Sequence, residues 1–211
     1  LLPLLNEDQI LVSASSGVKD NFYHSPLNKK RNNIIGYVSR VDRGKGWDTL
    51  LKAAKILSDK EINPVVRIIG GGAEVDEMLQ MITELGLKNV EYIGPVEYRK
   101  LPAYYRQFDI FVFPTRLEES LGLVGLEAMA SGVPVIASKI GGIQDYLCDN
   151  VNGLYFEGGN EEDLSHKIES LLQKTDGEYA EMCEQAYNTS LEYKASNVNK
   201  KLFDYIFQNK Q

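Results

Sequence analysis

The sequence predicts an α/β protein built on a doubly wound parallel sheet. Three observations carry this. Short apolar runs recur along the chain, helix-period patterns lie between them, and the runs are continuously apolar instead of alternating. Continuous runs are what a parallel sheet needs when helices cover both of its faces. The spacing of roughly 20 to 30 residues between runs leaves room for a helix in each crossover.

The elements follow in order. A candidate strand at Gln9–Ser13, a turn at Ser16-Gly17 and a polar stretch from His24 to Asn33 precede the first clear strand, Ile34–Val38. Trp47–Lys60 places Leu50, Leu51, Ala54 and Leu57 on one helical stripe. After a strand at Val65–Ile69, the helix Val75–Leu85 does the same with Met78, Leu79 and Ile82, and stops at Gly86. Strands at Val90–Ile93, Ile110–Phe113, Val133–Ala137 and Leu154–Phe156 complete the sheet. Beyond about Asn160 the strands cease, and helices at Glu161–Leu172, Glu178–Tyr193 and Ser196–Phe207 close the chain. The 211 residues form one domain, with a core at about 9–173 and closing helices at about 178–208.

Composition excludes several classes of function. Hydrophobic residues are 43% and charged residues 25%, the balance of an ordinary packed domain. No run approaches the roughly 18 apolar residues of a membrane span, so direct membrane insertion is not expected and the protein is placed in the cytoplasm. The net charge of −7 argues against non-specific binding of nucleic acid, so an anionic ligand needs a local positive patch. Cys148 and Cys183 lack the spacing of a disulfide framework or zinc site. His24 and His166 stand apart from any serine or cysteine motif.

In a doubly wound sheet, ligands lie at the carboxyl ends of the strands. The loop after the first clear strand, Ser39-Arg40-Val41-Asp42-Arg43-Gly44-Lys45-Gly46-Trp47, has three cations in six residues and two glycines before a helix. Backbone N–H groups, a helix start and cations together suit an anion. Loop composition alone fits equally well a solvated loop whose cations balance Asp42 and Asp48. The run Gly70-Gly71-Gly72-Ala73-Glu74 lacks Gly-x-Gly-x-x-Gly spacing and reads either as a tight turn or as a close approach to a nucleotide.

The most informative stretch is Pro114 to Pro134, joining strand, loop, helix and strand. Glu119 and Glu127 would lie about 80° apart on one unbroken helix, so they act together only if Glu119 sits in the loop and Glu127 on the helix. The helix start near Leu121–Leu123 then presents free N–H groups to a phosphate. Glu127 lies among Leu123, Val124, Leu126, Ala128 and Met129, where a charge needs a reason. An exposed carboxylate on a polar face is the alternative.

Taken together, Ser-Arg-x4-Lys-Gly-Trp, Glu-x7-Glu within Glu-Ser-Leu-Gly-Leu-Val-Gly-Leu-Glu-Ala-Met-Ala-Ser-Gly-Val-Pro, and Gly141-Gly142-Ile143 resemble the C-terminal domain of the family 4 retaining glycosyltransferases, the glycosyl transferases group 1. The resemblance runs from Gln9 to about Phe207. It implies a Rossmann-like half of the two-domain GT-B fold. The implied reaction is transfer of a hexose from a nucleoside diphosphate sugar to an acceptor hydroxyl with retention, in surface polysaccharide or glycolipid assembly. The acceptor would be a glycan or lipid-linked sugar.

By the same resemblance Arg40 and Lys45 would hold the donor diphosphate and act with Glu119 as the catalytic set, Glu119 facing the transferred sugar. Glu127 would accept bonds from the ribose. Ser120, Leu121, Gly122 and Leu123 would meet the diphosphate or sugar through their backbone. Gly94-Pro95-Val96 would lie against the base, and Gly36, Gly70 and Gly71 under the pocket. No cofactor and no metal are implied, and Asp-x-Asp occurs nowhere. The N-terminal acceptor domain is expected to be absent from this chain, leaving a domain that binds donor without turnover. A full-length enzyme could sit peripherally at the inner membrane face. Two departures stand out: Ser120-Leu121 where the family often has Gly-Phe, and Ser39 where it often has Gly. A non-catalytic nucleotide-binding regulatory module and a glycogen or sucrose synthase-type enzyme are the competing readings.

Overall fold

The computed structural model describes residues 16–26 and 30–208; the candidate strand at Gln9–Ser13 lies outside them. Six parallel strands form one sheet: β1 (Ile34–Val38), β2 (Val65–Ile69), β3 (Val90–Gly94), β4 (Ile110–Phe113), β5 (Val135–Ser138) and β6 (Gly153–Phe156). Their spatial order is β3-β2-β1-β4-β5-β6. The order reverses direction between β1 and β4, which opens a crevice beyond the carboxyl ends of these two strands. Register is continuous from Ile34 opposite Val65 to Val38 opposite Ile69, and Ile35 stands opposite Ile110.

Helices cover both faces. α1 (Trp47–Asp59), α2 (Val75–Glu84) and α5 (Glu161–Leu172) bury their apolar stripes against Ile35, Tyr37, Val66, Ile68, Ile110, Val112 and Ile136. α3 (Leu101–Tyr105) and α4 (Leu123–Ala130) pack on the opposite face, against Val38, Ile69, Phe111, Phe113, Val135 and Ala137. Alternate residues of β1, β2, β4 and β5 thus serve two separate cores, and every side chain of β4 and β5 is buried. That is the physical content of their unbroken apolar runs.

Two expectations are corrected. β3 is an edge strand with Glu91 and Ile93 exposed, so its run is not buried on both faces. In α2, Leu79 is 40% exposed; Met78 faces the core, with Val75, Ile82 and Leu85 packed beside it. α1 follows expectation, with Leu50, Leu51, Ala54 and Leu57 all fully buried.

The closing helices are α5, α6 (Asp176–Leu191) and α7 (Ala195–Gln208). α6 begins two residues before the helix expected at Glu178, because Thr175 and Glu178 form a capping box, each side chain accepting from the other's backbone N–H. Val18 ties the start of the described chain to the α6–α7 junction: Val18 N donates to Tyr193 O, and Ala195 N donates to Val18 O, both at 2.8 Å. Among the described residues no helix is long and apolar enough to cross a membrane.

Candidate functional site

The crevice beyond β1 and β4 is built by two loops locked together. The β1–α1 loop turns through Gly46 at φ 78°, where a side chain would overlap the carbonyl oxygen of Pro114. Only glycine meets both conditions. Arg116 N donates to Gly44 O at 2.7 Å, and the Arg116 guanidinium reaches over to Asp48 (2.9 and 3.0 Å) and Thr49 Oγ1 (3.0 Å). The other side of the same loop is laced to the β2–α2 turn. Val41 N donates to Gly71 O, Glu74 N to Val41 O, and Ala73 N to Asp42 Oδ1.

These contacts bring Lys45 to Glu119. Lys45 Nζ donates to Glu119 Oε1 at 2.7 Å, with the two side chains 15% and 18% exposed. The fully buried Thr115 donates its hydroxyl to the same oxygen at 3.2 Å. Glu119 lies outside any regular element and Glu127 on α4, the arrangement that their spacing required.

α4 starts at Gly122, whose φ of 74° turns the chain into the helix against the ring of Phe113. No side chain caps the helix. Gly125 N donates to Gly122 O at 3.0 Å, while the N–H groups of Leu123 and Val124, two residues that line the crevice, have no acceptor within the helix. A cavity of about 230 Å³ opens here, lined by Ser39, Lys45, Phe113, Glu119, Ser120, Leu121, Gly122, Leu123 and Val124. Lysine and the helix start give it two sources of positive potential, with Glu119 as the single carboxylate.

Glu127 does not line this cavity; it stands one turn further along α4 on the face of Leu123, about 6 Å along the axis at 1.5 Å rise per residue. It is 4% exposed, not the carboxylate of a polar face. Tyr98 donates its hydroxyl to Oε1 at 2.9 Å and Tyr105 donates to Oε2 at 3.1 Å. Burial raises the Glu127 carboxyl above the usual carboxylate range, opposed by the two tyrosine hydrogen bonds.

The cavity thus gathers Lys45, Glu119, Ser120, Leu121, Gly122 and Leu123 from the residues singled out in the sequence. Others lie around it in supporting positions. Arg40 is not among the lining residues; its side chain is 72% exposed and pairs with Asp42 at 2.7 Å. Gly70 packs against the Ser39 carbonyl and donates to Gly94 O, while Gly71 accepts from Val41 N. Gly36 makes room for the ring of Phe108. Val96 is half-buried against the core on the α4 side of the sheet.

Thr115, Tyr98 and Tyr105 are additions that sequence reasoning missed. Thr115 sits inside the most informative stretch, four residues before Glu119. The tyrosines lie between β3 and β4, where no motif marks them, and only the fold brings them to Glu127.

Comparison with known proteins identifies the family and fold of the chain. A family model described as glycosyl transferases group 1 matches residues 19–189. A D-inositol 3-phosphate glycosyltransferase of Corynebacterium urealyticum is 32% identical over 187 residues, covering 85% of this chain and 43% of the relative. The Anabaena protein Alr3699/HepE in complex with UDP-glucose superposes with a TM-score of 0.77 at 25% identity, covering 90% of this chain and 55% of that one. The C-terminal domain of a glycosyl transferase group 1 family protein, LpcC from Francisella tularensis, superposes with a TM-score of 0.73 at 25% identity, over 84% of this chain and 99% of that domain. The chain spans less than half the length of the curated relatives it matches.

Proposed function

Since the chain belongs to the glycosyl transferases group 1 family and has the Rossmann-like fold of GT-B enzymes, we propose that it is the donor-binding domain of a retaining hexosyltransferase that uses a nucleoside diphosphate sugar. One observation carries the reading. Along a single face of α4, an uncapped helix start with Lys45 and Glu119 is followed one turn along the helix by a buried carboxylate just outside the cavity lining. A nucleoside diphosphate sugar has the same order of groups: sugar and diphosphate at one end, ribose hydroxyls the next unit along. The UDP-glucose complex of the Anabaena relative supports this class of donor.

The chemistry follows from the site. As the glycosidic bond breaks, negative charge grows on the departing diphosphate. Lys45 and the first-turn N–H groups of α4 stabilise it, being fixed before the reaction starts. Arg40 lies on the same loop and joins them by leaving its exposed pairing with Asp42. Glu119 orients the transferred sugar by accepting from its hydroxyls, held in place by Thr115 and Lys45. Glu127 accepts from the ribose. An acceptor glycan or lipid-linked sugar binds chiefly to the part of the enzyme that lies beyond the span of this chain, so the chain alone binds donor without transferring it. Assembly of a surface polysaccharide or glycolipid is the pathway we assign.

Calorimetric titration with UDP, GDP and ADP, and with their glucose or mannose conjugates, tests the proposal. Saturable binding of one nucleotide, weakened in Glu127→Ala, is the expected result. No binding of any of these ligands, or binding that Glu127→Ala leaves untouched, would overturn it.

A further inference from the structure

The two oxygens of Glu127 are both occupied, and by partners of unequal mobility. Tyr105 is fully buried and packed edge-on against Phe22 and Phe108, at 5.6 and 5.7 Å between ring centroids. Its hydroxyl cannot leave Oε2 without opening the core. Tyr98 is 41% exposed and stands on a single three-residue 3-10 turn, Tyr98–Lys100. One face of its ring rests on Phe22 (5.3 Å), and the Lys19 ammonium lies 4.8 Å from the ring centroid. With Glu127 only 4% exposed and Tyr98 the exposed one of its two partners, the Tyr98 ring is what stands between an outside hydroxyl and Oε1.

We propose that Tyr98 is a specificity-determining residue of the donor site: its hydroxyl holds the place of a ribose hydroxyl on Glu127 Oε1, and binding of the nucleotide exchanges one for the other. This rests on the donor-binding reading above and deepens it. In the empty site Tyr98 keeps a buried carboxylate oxygen satisfied, where leaving it bare would be costly. In the bound site the ribose replaces that bond instead of adding one. Part of the gain from recognising ribose is therefore offset by the bond that Tyr98 gives up, so the wild type separates a ribonucleotide from a nucleotide without the hydroxyls less sharply than it would without the Tyr98 hydroxyl. Lys19 and Phe22 hold the displaced ring beside the site, so exchange needs a rotation of one exposed side chain and no movement of α4.

The test is Tyr98→Phe, which keeps the ring and its packing on Phe22 and removes only the hydroxyl. UDP and 2′,3′-dideoxy-UDP are titrated against wild type, Tyr98→Phe, Tyr105→Phe and Glu127→Ala, with GDP and ADP and their dideoxy forms in place of UDP if the wild type prefers either. Thermal unfolding confirms that each variant is folded. Tyr98→Phe should bind the ribonucleotide about five- to tenfold more tightly, the worth of one hydrogen bond no longer given up. Its affinity for the dideoxy nucleotide should stay within about twofold of wild type, so that the ratio of the two widens. Tyr105→Phe should not widen the ratio, because its hydroxyl does not exchange. If the wild type binds and Glu127→Ala weakens binding, but Tyr98→Phe leaves the ribo-to-dideoxy ratio unchanged or lowers it, the exchange is refuted while donor binding stands. If the wild type binds none of the nucleotides, it is the donor-binding reading that fails.

Discussion

Lys45 and Glu119 make a single contact that should be felt in two different measurements. Removing Lys45 as Lys45→Met leaves Glu119 with the Thr115 hydroxyl as its remaining partner. A charge-assisted hydrogen bond contributes about 1.5–3 kcal/mol, and a buried charge stripped of its partner costs about 3–5. Both side chains keep some solvent, at 15% and 18%, so the lower range applies and each single variant should lose about 2 kcal/mol. Lys45→Met combined with Glu119→Gln removes both charges and should recover about 1–2 kcal/mol relative to the sum of the singles. Urea unfolding of the four proteins, followed by the fluorescence of Trp47, reads this directly. Calorimetry with the preferred nucleoside diphosphate separates the two residues. Lys45→Met should weaken binding about tenfold or more, the loss of a charged contact. Glu119→Gln should tighten it, because the ammonium is released to the phosphate and a neighbouring negative charge is gone. Additivity of the two variants within about 0.3 kcal/mol would refute the coupling. Weaker diphosphate binding in Glu119→Gln would refute the sharing of Lys45 between carboxylate and phosphate.

Two further outcomes follow from named contacts. Gly46→Ala places a side chain at a φ of 78° and onto the Pro114 carbonyl, where both elements are backbone and cannot yield; a loss of more than about 2 kcal/mol in urea unfolding is expected, and a loss below about 0.5 would show that the two loops are not locked there. Glu127 is a carboxyl raised by burial, so its contribution to stability is fully present below the usual carboxylate range and is lost as pH rises through the raised value. Glu127→Gln should therefore gain relative to wild type in thermal unfolding as pH is taken from about 4 to 7, and parallel curves would overturn the assignment of that slope to Glu127.

The sheet was readable because β1 and β4 are short apolar runs rich in β-branched and aromatic residues whose two faces both meet helices, and β2 departs from this only at Arg67. In β3 the alternation of Glu91 with Val90 and Tyr92 is the mark of an edge strand with one face exposed, and reading Val90–Ile93 as a continuous apolar run passed over it. α3 escaped notice since five residues with Pro102 near the start give no helical period. At the site, the spacing of Glu119 and Glu127 set the condition that one lie in a loop and the other on a helix, while their roles came only with the family resemblance; the helix start between them was marked by its glycine. Their partners were not legible. Lys45 lies 74 residues from Glu119, and Tyr98 and Tyr105 lie 29 and 22 residues from Glu127. Such pairings depend on the strand order, in which β4 sits beside β1 across the point where the winding reverses. Arg40 marks the opposite limit, a residue singled out by its motif whose exposed guanidinium pairs with Asp42.

The seam between the two loops, with Gly46 against Pro114, Arg116 bound to Gly44, and Asp42 bound to Ala73, makes the pocket a preorganised receptor. Its walls are joined at these points, chiefly through main-chain atoms. On the donor-binding proposal, a nucleotide would meet loops already held together, and the entropy still to be lost would lie mainly in side chains such as Arg40 and Tyr98. Association should accordingly proceed in one step, at a rate set by diffusion and orientation and lowered by added salt, with no slow isomerisation following it.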